Sequence, residues 1–179
     1  MKDPLPLIDP ASGFINLPAG GVISPDLTLK AFEENTSWAN NETITSGVPW
    51  WSYLFPGGRV DGKNLLVSVH FYDQLLLSVD MTVSHYDQDQ KDLSVKIEAD
   101  TKDFHDRLLE RIFGRPDKIV VSPSSSPDRY PELDRSLSWS FLWGSVASLY
   151  DGRSCSSFMV VGYGDRREEA YKRDKQQLM

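Results

Sequence analysis

Histidines and clustered aspartates are the side chains of this chain that could carry acid–base or metal chemistry. His85 is followed by Asp87, Asp89 and Asp92, and a hard cation such as Ca²⁺ binds through several carboxylate oxygens of this kind. The spacing lacks the glycine and the terminal glutamate of a calcium-binding loop. We therefore interpret the aspartates as a solvated segment before a helix, where negative charge is favourable, and predict no metal site.

The remaining candidates for catalysis show no nucleophilic arrangement. His70 lies in the apolar segment 67–71, which is typical of a strand, and we interpret it as structural. His105 shares a predicted helix with acidic neighbours that cannot lie on its face. Gly144-Ser145-Val146 does not form the Gly-x-Ser-x-Gly turn of a serine hydrolase. We predict no catalytic residues and no organic cofactor, and we do not expect an enzyme.

Cys155 is the only cysteine, so no disulfide can form within the chain. We expect it to lie in a strand as a small buried side chain, as free cysteines usually do. A chain of 179 residues can bury roughly 70% of its unfolded surface without a disulfide or a metal. We predict a single domain over residues 1–179, with an irregular lead-in at 1–13 and a charged tail at 165–179.

The charge of the chain is acidic and unevenly distributed. The formal net charge is −7, and the span 73–110 holds ten acidic and four basic residues. Nucleic acid is not expected as a partner, because phosphate binding needs concentrated lysine and arginine. A localised acidic surface suits a basic protein partner, and we predict Asp87, Asp89 and Asp92 as partner-binding residues. The alternative is that this segment is merely solvated.

An aromatic cluster of Trp50, Trp51 and Tyr53 follows Pro49. In a strand, Trp51 and Tyr53 would share one face and Trp50 would lie on the other. Exposed aromatic side chains often anchor protein interfaces. We therefore include these three residues in the predicted partner-binding site, with core packing as the alternative.

Alternating apolar residues predict a sheet. We expect strands at 50–55, 64–72 and 75–84, with turns at Pro56-Gly57-Gly58 and Asp73-Gln74. A shorter strand is expected at 118–121. One face of the third strand should carry five apolar side chains: Leu75, Leu77, Val79, Met81 and Val83.

Two further segments have helical signals. Thr28 is a suitable N-cap for a short helix that contains Leu29 and Phe32. Apolar residues recur at three- and four-residue multiples from about 93 to 113, and Gly114 should end that helix. We expect this helix, the longest, to cover the apolar face of the sheet.

The segment from 138 to 164 predicts two strands joined by a tight turn. Residues 137–149 have a period of two, Asp151-Gly152 tolerates positive φ, and 158–161 forms the returning strand. The predicted fold is α+β, an antiparallel sheet of about five or six strands with one long and one short helix packed on it.

No targeting or membrane segment is expected. Prolines interrupt the first ten residues, and no later segment approaches the roughly 20 apolar residues of a membrane span. We expect a cytoplasmic protein without membrane contact.

The C-terminal segment contains a further pattern: Trp143-Gly144-Ser145-Val146, Ser148, Tyr150-Asp151-Gly152-Arg153, Ser156-Ser157 and Tyr163. This pattern resembles one in small, mostly uncharacterised bacterial proteins similar to the immunity partners of secreted antibacterial toxins. The resemblance implies an immunity or antitoxin-like protein that neutralises a toxin domain with a basic surface by tight binding. It supplies no catalytic residues. The alternatives are an interaction module without a toxin partner and an enzyme of unrecognised type.

Overall fold

The computed structural model describes residues 5–38, 41–84, 95–122 and 130–177. This part of the chain contains ten strands, three α-helices and a 3₁₀ turn at Thr36–Trp38. The strands are β1 (Ile15–Asn16), β2 (Val22–Ile23), β3 (Glu42–Gly47), β4 (Trp50–Val60), β5 (Lys63–Tyr72), β6 (Leu75–Ser84), β7 (Lys118–Val121), β8 (Arg135–Phe141), β9 (Gly144–Asp151) and β10 (Ser156–Gly162). The helices are α1 (Leu29–Glu33), α2 (Val95–Phe113) and α3 (Arg166–Gln177).

Eight strands form one antiparallel sheet in the order β3-β4-β5-β6-β10-β9-β8-β7. It consists of two meanders, β3–β6 and β7–β10, joined where β10 pairs with β6. Strands β1 and β2 form a separate two-stranded sheet. Helix α2 leads from the central strand β6 to the edge strand β7, and on the way it contacts β6, β9 and β10.

The predicted α+β class with five or six strands and two helices is wrong. The described residues are 45% strand and 24% helix, in sheets of eight and two strands with three helices. Strand β3 gave no sequence signal because all its residues are exposed at an edge, so no apolar alternation marks it. The segment 137–149, predicted as one strand, contains two.

One face of the large sheet, here called the inner face, carries the main apolar core. Phe32 of α1 is fully buried, and its ring centroid lies 5.0 to 5.7 Å from those of four other aromatic side chains: Trp38, Tyr53, Phe55 and Phe71. Thr28 caps α1 by accepting a hydrogen bond from the Ala31 N–H at 3.2 Å, as predicted. The opposite face of the sheet is here called the outer face.

Helix α2 lies within the segment 93–113 whose periodicity predicts a helix. Gly114, at φ +76°, follows its last residue, and the Gly114 N–H donates to the Glu110 carbonyl at 2.8 Å. The C-terminal half of the helix adds Leu108 and Leu109 to the inner core. Its N-terminal half instead buries charged and polar side chains.

The turn predicted at Pro56-Gly57-Gly58 does not exist. Strand β4 continues to Val60, and a register shift between Pro56 and Gly58 takes up the irregularity. A Cβ on Gly57 would lie 2.6 Å from the Val67 side chain, so the glycine permits a close approach rather than a reversal. The chain reverses at Asp61-Gly62 instead. The Asp73-Gln74 turn between β5 and β6 is confirmed.

Two predicted side-chain faces are also wrong. A register shift beside His70 gives β6 an extra residue, so Leu76 joins the inner core and Leu77 packs on the outer face. A two-residue turn at 142–143 joins β8 to β9, and in the resulting register Leu137 lies opposite Ser148. Inward positions therefore change from odd in β8 to even in β9, and Leu149 points outward.

The final hairpin has a longer loop than the tight turn predicted at Asp151-Gly152. Asp151 pairs with Ser156, so four residues connect β9 to β10. Cys155 lies in this loop at φ +50° and is exposed. The expectation of a buried strand cysteine is wrong, because the loop extends past the residues that carry the turn signal.

Candidate functional site

Three polar side chains form a row across neighbouring strands on the outer face, here called the outer row. Ser52 comes from β4, His70 from β5 and Asp80 from β6. Strand alternation directs all three outward, because their neighbours Tyr53, Val69 and the other inward residues lie in the inner core. Ser52 and His70 are directly opposite each other in the β4–β5 pairing.

Hydrogen bonding and charge connect the members of the outer row. Ser52 Oγ lies 2.8 Å from His70 Nδ1, and His70 Nε2 lies 3.3 Å from Asp80 Oδ2. An ionised carboxylate can only accept, so the favourable arrangement places a proton on Nε2 and lets the Ser52 hydroxyl donate to Nδ1. The side chains of His70 and Asp80 are 29% and 25% exposed, although the atoms His70 Nε2 and Asp80 Oδ1 are themselves buried.

Aromatic side chains border one end of the outer row. The Trp50 ring packs edge-on against Tyr72 with centroids 4.9 Å apart, and Tyr171 of α3 lies 4.9 Å from Trp50. Arg166 anchors the start of α3 by donating to the Pro25 and Leu76 carbonyls at 2.6 and 3.1 Å. Helix α3 therefore covers this end of the face.

Half-buried apolar side chains extend over the rest of the outer face. They come from four strands and are Leu54, Leu66, Leu149, Phe158 and Val160. Ser68 lies among them on β5, opposite Leu54 on one side and Asp80 on the other. The outer row thus lies within a mixed polar and apolar surface on a continuous sheet.

The outer row has the order serine, histidine, carboxylate that a hydrolytic nucleophile requires. Acyl transfer also needs backbone N–H groups that point at the developing oxyanion. Strand β4 is paired with β3 on one side and with β5 on the other at Trp51 and Ser52. The backbone at Trp51 and Ser52 therefore belongs to the sheet ladder and does not itself present an oxyanion hole.

The structure separates the predicted aromatic site residues. Trp50 is half-buried on the outer face, beside the outer row. Trp51 packs against the inner core, and Tyr53 is 6% exposed, with its hydroxyl donating to Glu33 Oε1 at 2.7 Å. Burial, together with the Glu33 carboxylate, raises the pKa of Tyr53 to about 12. Trp50 is therefore the aromatic residue that the structure brings to the outer row.

The predicted acidic site residues Asp87, Asp89 and Asp92 lie outside the described residues, as does His85. Their role as a partner-binding segment stays a prediction. The outer row itself was missed, because His70 was interpreted as an isolated strand histidine. The signal that could have found it is a polar residue at an outward position of three consecutive predicted strands.

A second polar cluster is buried under α2. Lys102 Nζ lies 2.5 Å from Asp106 Oδ1, and Arg135 Nε of β8 donates to Asp106 Oδ2 at 2.9 Å. Lys102 is 0% exposed and Asp106 is 1% exposed. Burial lowers the pKa of Lys102, an effect that the Asp106 carboxylate opposes. The Arg135 side chain is 38% exposed and connects this buried pair with the surface. We call Lys102, Asp106 and Arg135 the buried triad.

Two further contacts connect α2 with the sheet. His105 Nε2 accepts a hydrogen bond from the Val83 N–H at 3.1 Å. Glu98 Oε2 accepts one from the Ser157 N–H at 3.1 Å, and burial raises the pKa of this carboxyl. These side chains join the helix to β6 and β10 through polar contacts where the apolar core ends.

A groove of about 870 Å³ lies between the N-terminal segment and α2. Its walls are mostly apolar and include Leu7, Leu17, Val60 and Leu108. Three ionisable side chains line it: Arg111 pairs with Asp61, with Nη2 2.7 Å from Oδ2, and Arg59 donates to the Gly62 carbonyl. The groove therefore lacks the converging reactive groups of an active site.

No group of three or more histidine, cysteine or acidic side chains among the described residues could hold a metal ion. None of the described helices has an apolar stretch of the length that a membrane crossing requires. Comparisons with known protein families, with curated proteins and with solved structures found no match to this chain.

Proposed function

We propose that this chain is an immunity-type protein that binds a toxin domain through the outer face of its sheet and thereby neutralises it. The observation that carries the proposal is the outer row of Ser52, His70 and Asp80, in which His70 contacts Ser52 through Nδ1 and lies 3.3 Å from Asp80 through Nε2, and whose side chains remain partly exposed. The C-terminal sequence pattern supports the toxin as the partner. The same proposal places the encounter in the cytoplasm.

The size and the chemistry of the face support tight protein binding. Eight strands about 4.8 Å apart span roughly 34 Å, enough for the roughly 800 Å² that a specific interface buries on each partner. Trp50 supplies an aromatic anchor, and the half-buried apolar side chains around Ser68 supply a surface that can exclude water. Asp80 adds negative charge, which would accelerate encounter with a basic surface.

The test is whether a gene beside this one encodes a toxin domain, and whether this chain protects cells that express that domain. We expect the unaltered chain to protect and S68R to abolish protection, because a long charged side chain at the centre of the outer face would hold the partner away. S46R is the matched control, since Ser46 is exposed on β3 and pairs with Trp51, which packs on the inner core.

Three outcomes would contradict parts of the proposal. Failure of the unaltered chain to bind or protect would overturn the immunity function. Protection that survives S68R, in a protein whose circular dichroism spectrum shows an intact fold, would move the interface to another surface. Equal loss with S46R and S68R would mean that the outer face is not specific. Asp80→Asn should mainly slow association and weaken its dependence on salt.

A further inference from the structure

The two edges of the eight-stranded sheet differ in how they meet solvent. Strand β3 forms one edge and β7 forms the other. Strand β3 is largely polar, and a register shift between Thr43 and Thr45 interrupts its pairing with β4. Charged or irregular edges of this kind prevent unwanted pairing. In contrast, β7 pairs with β8 in unbroken register over all four of its residues.

Strand β7 exposes three consecutive large apolar side chains. Ile119 is 55% exposed, Val120 is 42% exposed and Val121 is 63% exposed. A regular edge strand has outward-facing N–H and C=O groups, and an apolar edge without a bulge or proline is a template for another strand. Among the described residues, such a run of exposed apolar side chains is found on this edge and not on β3.

We propose that β7 is a self-association edge, where two copies of this chain pair through antiparallel β7 strands related by a two-fold axis. A two-fold axis perpendicular to the sheet keeps each side chain on its own face, so a residue at the axis must lie opposite itself. Centring the axis on Val120 places Val120 opposite its copy and Ile119 opposite Val121. Lys118 then lies opposite Ser122.

This register is favoured by its charges and its apolar pairs. Each of the three exposed apolar residues of β7 meets another apolar side chain, and such cross-strand pairs stabilise a sheet. Lys118, the one charged residue of β7, meets a neutral serine. Parallel pairing would place Lys118 directly opposite its copy, and like charges in that position are destabilising. A second copy is therefore a chemically matched occupant of the edge.

Sedimentation equilibrium tests whether the chain associates. Two four-residue strands form a small contact, and interfaces below about 1,200 Å² are typically weak. We therefore expect a weak dimer, and the measurement should extend to protein concentrations of about 500 µM. V120K should weaken dimerisation about fivefold or more, because it places two lysines opposite each other across the axis. I44K is the matched control, because Ile44 is 54% exposed on the other edge strand.

Charge swapping tests the register. Mixing V120K with V120D should restore association, because a lysine then meets an aspartate at the axis. In a C155S background, which removes the exposed native thiol, V120C should form an intermolecular disulfide under mild oxidation and I44C should not.

Three results would overturn the proposal. The first is a monomer at every concentration, which would mean that a second copy does not pair with β7 and that any strand pairing there comes from a different protein. The second is a dimer that I44K weakens as much as V120K does. The third is a dimer that V120K does not affect. None of these readouts involves the toxin, so this proposal and the proposed function can fail separately.

Discussion

The outer row and the buried triad contain similar chemistry in different surroundings. Each contains a carboxylate, a nitrogen base and a third polar side chain. The carboxylate is Asp80 in the outer row and Asp106 in the triad. Asp80 is 25% exposed, whereas Asp106 is 1% exposed. Solvent reaches the side chains of the outer row and the Arg135 side chain, which is 38% exposed, but it does not reach the Lys102–Asp106 pair. Burial thus makes the triad structural and leaves the outer row available for binding.

The largest effect that separates the two clusters is expected for Asp106→Ala. The substitution leaves Lys102 buried beside no acceptor, and breaking a buried ion pair in this way lowers the free energy of unfolding by about 3–5 kcal/mol. Urea unfolding followed by circular dichroism measures the loss. The control is Asp103→Ala on the same helix, whose exposed pair with Arg107 should contribute less than about 1 kcal/mol.

Equal losses for the two variants would contradict the comparison. They would mean that Asp106 is no more important than a surface charge, and that solvent reaches Lys102. A double variant, Lys102→Met with Asp106→Leu, sharpens the test. Removing both charges together should recover most of the stability, because an apolar pair of similar volume leaves no fully buried charge unpaired. The Arg135 side chain also loses Asp106, but it is 38% exposed and so remains hydrated.

A smaller loss is expected for His105→Phe. The Val83 N–H would lose its acceptor in a buried position, at about 1–3 kcal/mol of stability. His105→Gln should lose less, because an amide oxygen can accept the same hydrogen bond. If His105→Gln lost as much stability as His105→Phe, the site would require more than a hydrogen-bond acceptor at this position.

The next effect depends on pH. Burial raises the pKa of Glu98 in the folded chain, so its protonated form favours folding below the unfolded pKa. That contribution is lost as the pH rises through the folded pKa. Glu98→Gln should therefore be more stable than the unaltered chain at pH 7, and the difference should shrink towards pH 4. Urea midpoints at both values measure it, and an advantage that grows at pH 4 would reverse the sign.

The smallest effect on stability is expected for Ser52→Ala. Its hydroxyl bonds His70 in a position that water can also reach, so the loss should be about 1 kcal/mol or less. The same variant should affect partner binding more than stability, because it changes the surface that the outer face presents to a partner. A loss of stability comparable to that of Asp106→Ala would place the outer row in the structural core.

Local signals in the sequence predicted local structure well. The Asp73-Gln74 turn is confirmed because both flanking strands alternate strongly and few residues separate them. The Thr28 cap is confirmed because the hydroxyl bonds a backbone N–H three residues away. Prediction failed at Pro56-Gly57-Gly58, where the glycines serve a bulge and a close approach to Val67. The neighbouring strand creates the requirement for glycine, so the sequence around residues 56–58 does not reveal it.

The candidate site was less predictable than the strands that hold it. Trp50 was identified. That Trp50 is partly exposed while Tyr53 is buried depends on which face of the sheet packs against the core. Ser52 and Asp80 were not identified, because their approach to His70 depends on the registers of two strand pairs. The buried triad was also missed, since Lys102 and Asp106 are residue types normally found on solvent-exposed helix faces. Tertiary packing decides their position.

The place of β10 has a consequence for the order in which the molecule can assemble. It pairs with β6 over Met159–Gly162 and with β9 over Ser156–Gly162, and every other strand of the large sheet precedes it in the chain. During synthesis, the first meander, β3–β6, and the strands β7–β9 can therefore emerge before the strand that connects them. Until then, β6 and β9 present free apolar edges. Completion of the sheet is a late, long-range event, which slows folding and gives a chaperone a defined interval in which to act.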